Sequence, residues 1–350
     1  MASGKPITGG AIAAALLLGA SAALAEPARI GIAAPLSGPT ERLGRQLVAG
    51  AQAAAGDAAL TIADDRCEAE GGAEAARRFV EDKVAVVVGF LCTEAIEAAL
   101  PILSEAGIPT ITPGVRTGAL TDHRDRTGWL IWRLAPRADA EAEAVTDLLV
   151  RAWRDVPFAI VDDGTIYGRE LAEAFRAAAE LAGLKPVFVD TFRPQMDNQV
   201  GLVGRLRRAG ATHVFVGGDR DDVAVMSRDA HAMGAAMTFA GGEALRAAGN
   251  GIPLADGTLM IGLPEWADIA DPKVLEALEA AEIRPEGYVL PAYAAMQVAL
   301  AAAAQLPPHV PDHLDTAIGT VTFDAKGDLA KNPYGVFQVA AGRFEAVEAK

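Results

Sequence analysis

Short apolar runs alternate along this chain with longer alanine-rich stretches whose apolar positions recur at helical spacing. The runs expected as strands begin with Arg29 to Ala34, Leu60 to Ala63, Val84 to Val88, Thr110 to Thr112 and Leu130 to Leu134. A second set comprises Phe158 to Val161, Val187 to Thr191, His213 to Val216, Thr238 to Ala240 and Gly257 to Ile261. The helical stretches between most of them are Arg42 to Ala55, Ala73 to Asp82, Thr93 to Ala106, Ala138 to Trp153, Gly168 to Ala182, Gln199 to Arg208 and Asp221 to Met233. Runs that are apolar throughout and separated by helices imply parallel strands covered on both faces. Two successive sets predict two doubly wound α/β domains, not one oversized sheet. The tail departs from this rhythm: a helix from Tyr288 to Ala304, then Pro307-Pro308, then short β segments at Val321 to Phe323 and Gly335 to Val339.

The N-terminus follows a different pattern. One cation, Lys5, precedes an apolar stretch from Ala11 to Leu24 that ends in Ala23-Leu24-Ala25. This is the layout of a secretory signal peptide over residues 1–25, cleaved after Ala25. The stretch is shorter than the roughly 20 residues a spanning helix needs, and no cysteine near the cleavage point offers a site for lipid. Export changes how the cysteines are read. Cys67 and Cys92 are the only two, and in an exported protein they most simply form one disulfide. Closing that loop contributes about 3 kcal/mol in the chain-entropy model. A thiol nucleophile or a metal pair is the alternative, but neither has His or Cys neighbours to support it.

Charge narrows the function. The 350-residue chain carries a formal net charge of −15, which argues against nucleic acid and against anionic membrane surfaces as partners. Its aromatic content of 5% leaves little aromatic surface for a broad protein interface. No nucleophile elbow, Walker loop, zincin motif or dinucleotide fingerprint stands in the right strand-to-helix context. His309 and His313 have helical spacing, but Pro311 lies between them and Pro307-Pro308 precede them, so a metal site is not expected there. The chain is read as a non-enzyme without metal or cofactor.

Several segments, in order, make the reading specific. They are Ile30 to Pro39, Asp64-Asp65-Arg66-Cys67, Gly89-Phe90-Leu91-Cys92-Thr93, Gly107-Ile108-Pro109 and Thr112-Pro113-Gly114. Further along come Tyr167-Gly168, Phe239 to Glu243, Tyr293-Ala294-Ala295 and Phe323 to Asp328. Together they resemble the periplasmic leucine/isoleucine/valine-binding proteins, the type I solute receptors of ABC importers. The resemblance implies two lobes joined by three hinge crossings, with a ligand held in the cleft between them and closure by hinge bending. It places residues 26–137 with 265–331 in an N-terminal lobe, and 138–264 with 332–350 in a C-terminal lobe. It also pairs Cys67 with Cys92.

The resemblance assigns the site residue by residue. Thr93, with Leu91 and Cys92 before it, opens a helix whose free N–H groups can receive a carboxylate; a plain N-cap is the alternative. The turn Gly114-Val115-Arg116-Thr117 matches a second carboxylate-binding segment, in which Arg116 is a departure from the usual small residues. Arg116 either grips an anionic group bidentately or points into solvent. Tyr167 matches a tyrosine that closes over bound ligand, and Glu243 matches the carboxylate that holds an α-ammonium. Asp219 stands where an aromatic residue is common, either as a ligand contact or as part of the charged run Asp219 to Asp222. Tyr293 completes the set.

Arg116 and Asp219 make the pocket less apolar than an aliphatic ligand demands, as does Leu43 where an aromatic residue often sits. The expected ligand is therefore a zwitterion with a polar side chain, or next an organic acid held by Arg116. The expected function is a monomeric periplasmic receptor delivering an amino acid or related small carboxylate to a membrane ABC permease. A sensor for a membrane kinase or chemoreceptor is the alternative.

Overall fold

The computed structural model describes Met1 and residues 28–348; the expected signal peptide lies, apart from Met1, outside the described residues. The first sheet contains β1 (Arg29–Ala34), β2 (Ala59–Asp64), β3 (Val86–Gly89), β4 (Thr110–Thr112) and β5 (Ile131–Arg133). Between them run α1 (Glu41–Ala54), α2 (Ala69–Glu81), α3 (Thr93–Glu105) and the single turns α4 (Ala119–Asp122) and α5 (Arg124–Thr127). The strands pair in the order β2-β1-β3-β4-β5, all parallel. Ile30, Ile32, Val86, Val87 and Val88 are fully buried, which is why these strands carry no polar alternation. One face packs on α1 through Leu47 and Ala51, the other on α2 and α3 through Phe79, Ile96 and Leu100. The latter two helices touch so closely that a Cβ on Gly72 would sit 2.0 Å from the Ala95 carbonyl oxygen.

The chain then crosses into α6 (Ala140–Ala152), β6 (Phe158–Asp162), α7 (Ile166–Leu181), β7 (Phe188–Thr191), α8 (Val200–Ala209), β8 (His213–Gly217), α9 (Arg220–Ala232), β9 (Thr238–Gly241) and β10 (Leu259–Gly262). It recrosses through α10 (Trp266–Ile269), α11 (Pro272–Ala280), α12 (Val289–Ala303) and the hairpin β11 (His313–Thr316)–β12 (Gly319–Thr322). A third passage ends in β13 (Gly335–Ala340) and β14 (Arg343–Val347). The second sheet reads β14-β13-β10-β9-β8-β6-β7; its last two strands are antiparallel additions at the β10 edge. The helix α12 is apolar on nearly every side because it is wedged between the first sheet, α1 and the β11–β12 hairpin. Two doubly wound sheets and three passages between them match the expected fold class.

The first and third passages are tied by a buried ionic cluster. Arg133, at the end of β5, is fully buried and its Nε donates to Asp328 Oδ1 at 2.9 Å; Nη2 contacts the same oxygen. Asp328 Oδ2 accepts from Thr121 Oγ1 at 2.8 Å and from Arg137 Nη1 at 3.1 Å. Both carboxylate oxygens are thus filled. On the surface, hydrogen bonds from Arg137 and then Lys326 hold the Asp122 carboxyl down to about 2.

Some elements start earlier than expected or were not expected at all. The helix α2 starts four residues before Ala73, directly after the turn that carries Cys67. The helix α11 has a readable start, since the Asp271 side chain caps Lys273 N–H and Pro272 occupies the first turn. The strands β11 and β14 have polar or half-exposed residues along most of their length, so apolar periodicity does not reveal them. His313 opens β11, so the His309/His313 spacing does not stand on a helix. Cys67 and Cys92 are joined in a disulfide with Cα atoms 5.2 Å apart.

Candidate functional site

The two sheets present their strand ends to each other, where open α/β sheets hold ligands. On the first sheet two turns form the wall. The first follows β3, where buried Phe90 is held in the left-handed region at φ 64°. Such a backbone is costly for a bulky residue and persists only where surroundings fix it. The fixing groups are visible: Phe90 N–H donates to Ala33 O at 2.8 Å, and Thr112 Oγ1 donates to Phe90 O at 3.1 Å. The same hydroxyl accepts from Val115 N–H at 3.2 Å and Gly114 N–H at 3.3 Å. Thr112 therefore locks both turns together. Cys92, not Thr93, occupies the N-cap position of α3, and it makes no side-chain cap. Thr93 is the first helical residue, beside N–H groups that no intrahelical carbonyl can reach.

Beyond this wall lies a cavity of about 220 Å³, lined among others by Gly114, Arg116, Pro136, Leu263, Trp266 and Tyr288. A Cβ on Gly114 would meet Leu91 Cδ2 at 2.3 Å and Tyr288 Cε1 at 3.2 Å, so a side chain here would push Leu91 aside and crowd Tyr288.

The second-sheet wall is acidic. Glu243 starts a one-turn 3₁₀ helix after β9, and Glu141 lies in the first turn of α6. Glu141 Oε1 accepts from Tyr167 Oη at 2.7 Å and from the Glu243 N–H at 2.7 Å. Ala244 N–H in turn donates to Tyr167 Oη at 3.4 Å. A Cβ on Gly242 would fall 2.3 Å from Glu141 Oε1 and 2.5 Å from Tyr167 Oη, so a side chain here would displace both groups. Burial raises the Glu141 carboxyl above its usual range, helped by the charge of Glu243 and opposed by its two hydrogen bonds and by Arg116. Burial, then the Glu141 charge, holds the Tyr167 phenol well above its usual range, so it stays a donor.

One hydroxyl joins the two walls. Arg116 Nη2 donates to Tyr334 Oη at 2.6 Å, and Tyr334 Oη donates to Glu243 Oε2 at 2.9 Å. Arg116 also lies over the Tyr334 ring, 5.9 Å from its centroid, and donates through Nε to Pro136 O at 3.3 Å. Arg116 is thus turned inward and not into solvent.

The expected site residues divide accordingly. Gly114 and Arg116 line the cavity, with Leu91 packed against Gly114; Tyr167 and Glu243 share the facing wall; Thr93 and the backbone of Cys92 stand at the adjoining turn. Three are placed elsewhere. The Val115 side chain is buried in the core with Ile96 and Leu100; only its backbone serves the turn. Tyr293 packs in an apolar cluster with Leu278 and Ala317, and Tyr288 takes its place at the cavity. Five positions along a helix turn a side chain by about 140°, away from the earlier face. Asp219 is exposed and lines a separate groove with Asp222 and Asn250. Glu141, Tyr288, Tyr334 and Thr112 were not assigned to the site from the sequence. The signal for Glu141 was an acid in a first helical turn, which ordinarily means no more than a favourable dipole.

Comparison with known proteins gives the arrangement a family. The signature of the family described as "Periplasmic binding protein" covers residues 27–343. The chain is 30% identical to Leu/Ile/Val-binding protein homolog 3 of Brucella melitensis over 96% of this chain and 98% of that one. It is also 30% identical to an amino acid binding protein of Pseudomonas aeruginosa, over 94% of each. Among solved structures, the fold is similar to an ABC transporter substrate-binding protein from Desulfitobacterium hafniense complexed with Leu (TM-score 0.63, 21% identity, 92% of this chain and 100% of that one). It is likewise similar to a Rhodopseudomonas palustris solute-binding protein complexed with benzoate (TM-score 0.56, 16% identity, 92% and 96%). Two largely parallel sheets facing each other across a polar cleft, three passages between them and a signature running nearly end to end lead to one assignment: the chain belongs to the periplasmic binding protein family.

Proposed function

We propose that this protein is a periplasmic receptor that captures an α-amino acid between its two lobes and delivers it to a membrane ABC permease. The observation that carries the reading is the Arg116–Tyr334–Glu243 chain. Its guanidinium suits a carboxylate and its carboxylate suits an ammonium, and the two stand on opposite walls of one cleft. The N-terminus of α3 at Thr93 adds N–H groups for the same carboxylate. The amino-acid-binding relatives, matched nearly end to end, support the ligand class. In this reading the lobes are residues 26–137 with 265–331 and residues 138–264 with 332–350, residues 1–25 are a cleaved export signal, and the receptor is a monomer that turns over no substrate.

A thermal-shift screen tests the reading, using protein unfolded and refolded to strip any ligand carried through purification. A ligand at about 100 times its Kd stabilises the fold by roughly 2.7 kcal/mol. A stabilising amino acid whose effect is lost in Thr93→Ala and Glu243→Ala supports it. Stabilisation by benzoate or another organic acid alone, with no amino acid active, refutes the amino-acid ligand.

A further inference from the structure

The acidic wall holds more negative charge than a simple zwitterion needs. Glu141 and Glu243 face one cation, Arg116, whose charge acts on Glu141. The other nearby guanidinium groups are committed elsewhere: Arg137 to Asp122, Asp139 and Asp328, and Arg246 to Glu265 and the Leu263 carbonyl. Among the described residues, the hydrogen bonds to Glu141 all arrive at Oε1, and the side-chain bond to Glu243 arrives at Oε2. Glu141 Oε2 and Glu243 Oε1 are left open, and neither is a sealed-off atom. Resting on the amino-acid reading above, an α-carboxylate at Arg116 and the α3 N-terminus would neutralise the guanidinium, and an α-ammonium would neutralise Glu243. Glu141 would then remain as an unmatched carboxylate inside a closing cleft, which is strongly unfavourable unless a cation meets it.

We propose that Glu141 is the specificity-determining residue of this receptor and that it receives a second cation, so the ligand is an α-amino acid with an ammonium or guanidinium side chain. The position is rigidly built. Tyr167 Oη and the Glu243 N–H fix Oε1 from two directions, and the absence of a side chain at Gly242 leaves room for both. With Oε1 anchored from both sides, Oε2 is held in place as a free acceptor, and preorganised acceptors discriminate charge best.

The test is isothermal titration of refolded, ligand-free protein with two isosteric pairs, lysine against norleucine and arginine against citrulline, with leucine as a fifth probe. At least one cationic member should bind about tenfold or more tightly than its neutral isostere, as a charge-assisted hydrogen bond requires. Glu141→Gln keeps the Oε1 acceptor for Tyr167 and Glu243 but removes the charge. It should bring that ratio to about one, through weaker binding of the cationic member and tighter binding of its neutral isostere. Neutral isosteres or leucine binding as tightly as the cationic acids would overturn the inference while leaving the amino-acid receptor standing. So would a cationic preference that survives Glu141→Gln. If that variant fails to fold, the wild-type ratios alone decide. Binding of none of the five would overturn this inference, and the thermal-shift screen would then decide the amino-acid reading separately.

Discussion

Two arginine–carboxylate clusters lie near the passages between the sheets, and they differ in one respect. In the Arg133–Asp328 cluster every carboxylate oxygen is filled, by Arg133, Thr121 and Arg137, and both charged partners are buried. In the Arg116–Tyr334–Glu243 chain the guanidinium and carboxylate are kept apart by a phenol, and carboxylate oxygens on Glu243 and Glu141 stay open. The first is closed chemistry and holds the passages in register. The second is unfinished chemistry awaiting a ligand. Residue type does not separate structural from binding charges; saturation does.

The largest expected effect breaks the closed cluster. Arg133→Ala leaves Asp328 buried without its main partner, and should lower the unfolding free energy by about 3–5 kcal/mol. Urea titration reads this directly. Amino-acid affinity per folded molecule should change little, and a large affinity loss at wild-type stability would erase the distinction between the clusters.

Glu243→Gln acts on the open chain. It keeps an acceptor for Tyr334 and removes the charge, so stability should move by less than about 1 kcal/mol. Amino-acid affinity should fall by about 30- to 100-fold, or roughly 2–3 kcal/mol by titration calorimetry. A stability loss comparable to that of Arg133→Ala would show that this chain too is structural.

The smallest effect sharpens the rule by way of a carboxylate that is unfilled yet sealed. Asp65 is fully buried beneath the disulfide turn, its Oδ1 accepts from Cys67 N–H at 2.9 Å, and its Oδ2 has no partner among the described residues. Burial pushes its carboxyl up to about 6. Because the folded value lies above the unfolded one, the proton is held more tightly in the folded protein. Stability contributed by this group is full below about pH 4, is lost as pH rises through about 6, and is absent above. Asp65→Asn should therefore raise stability at pH 7.5 by about 1–2 kcal/mol, the gain being offset partly by an unpaired amide N–H. At pH 4 the gain should vanish. Equal melting shifts at the two pH values would remove Asp65 from the comparison. An open valence marks a binding group only where a ligand can reach it.

The legibility of these features in the sequence follows from range. Strands such as Val86–Gly89 and Phe158–Asp162 were readable because both faces are buried, which forces every position to be apolar. Thr93, Tyr167 and Glu243 were singled out because each sits in a short local pattern at a strand end. Glu141 and Tyr334 were not. Glu141 meets Glu243 across 102 residues of chain, and Arg116 meets Tyr334 across 218. Nothing in the neighbourhood of either residue encodes its partner. Tyr293 and Asp219 err in the opposite sense: local pattern placed them at the cleft, and packing put one against α11 and left the other exposed.

The amino-acid sequence by itself determined two doubly wound sheets, the helices between them and the cysteine pair, because burial on both faces of a strand and the 3.6-residue helical period are written locally. Only the tertiary structure decided which carboxylates are saturated and which are open. That property depends on groups brought together by the three passages, where a hydrogen-bond partner hundreds of residues away is as near as the next turn.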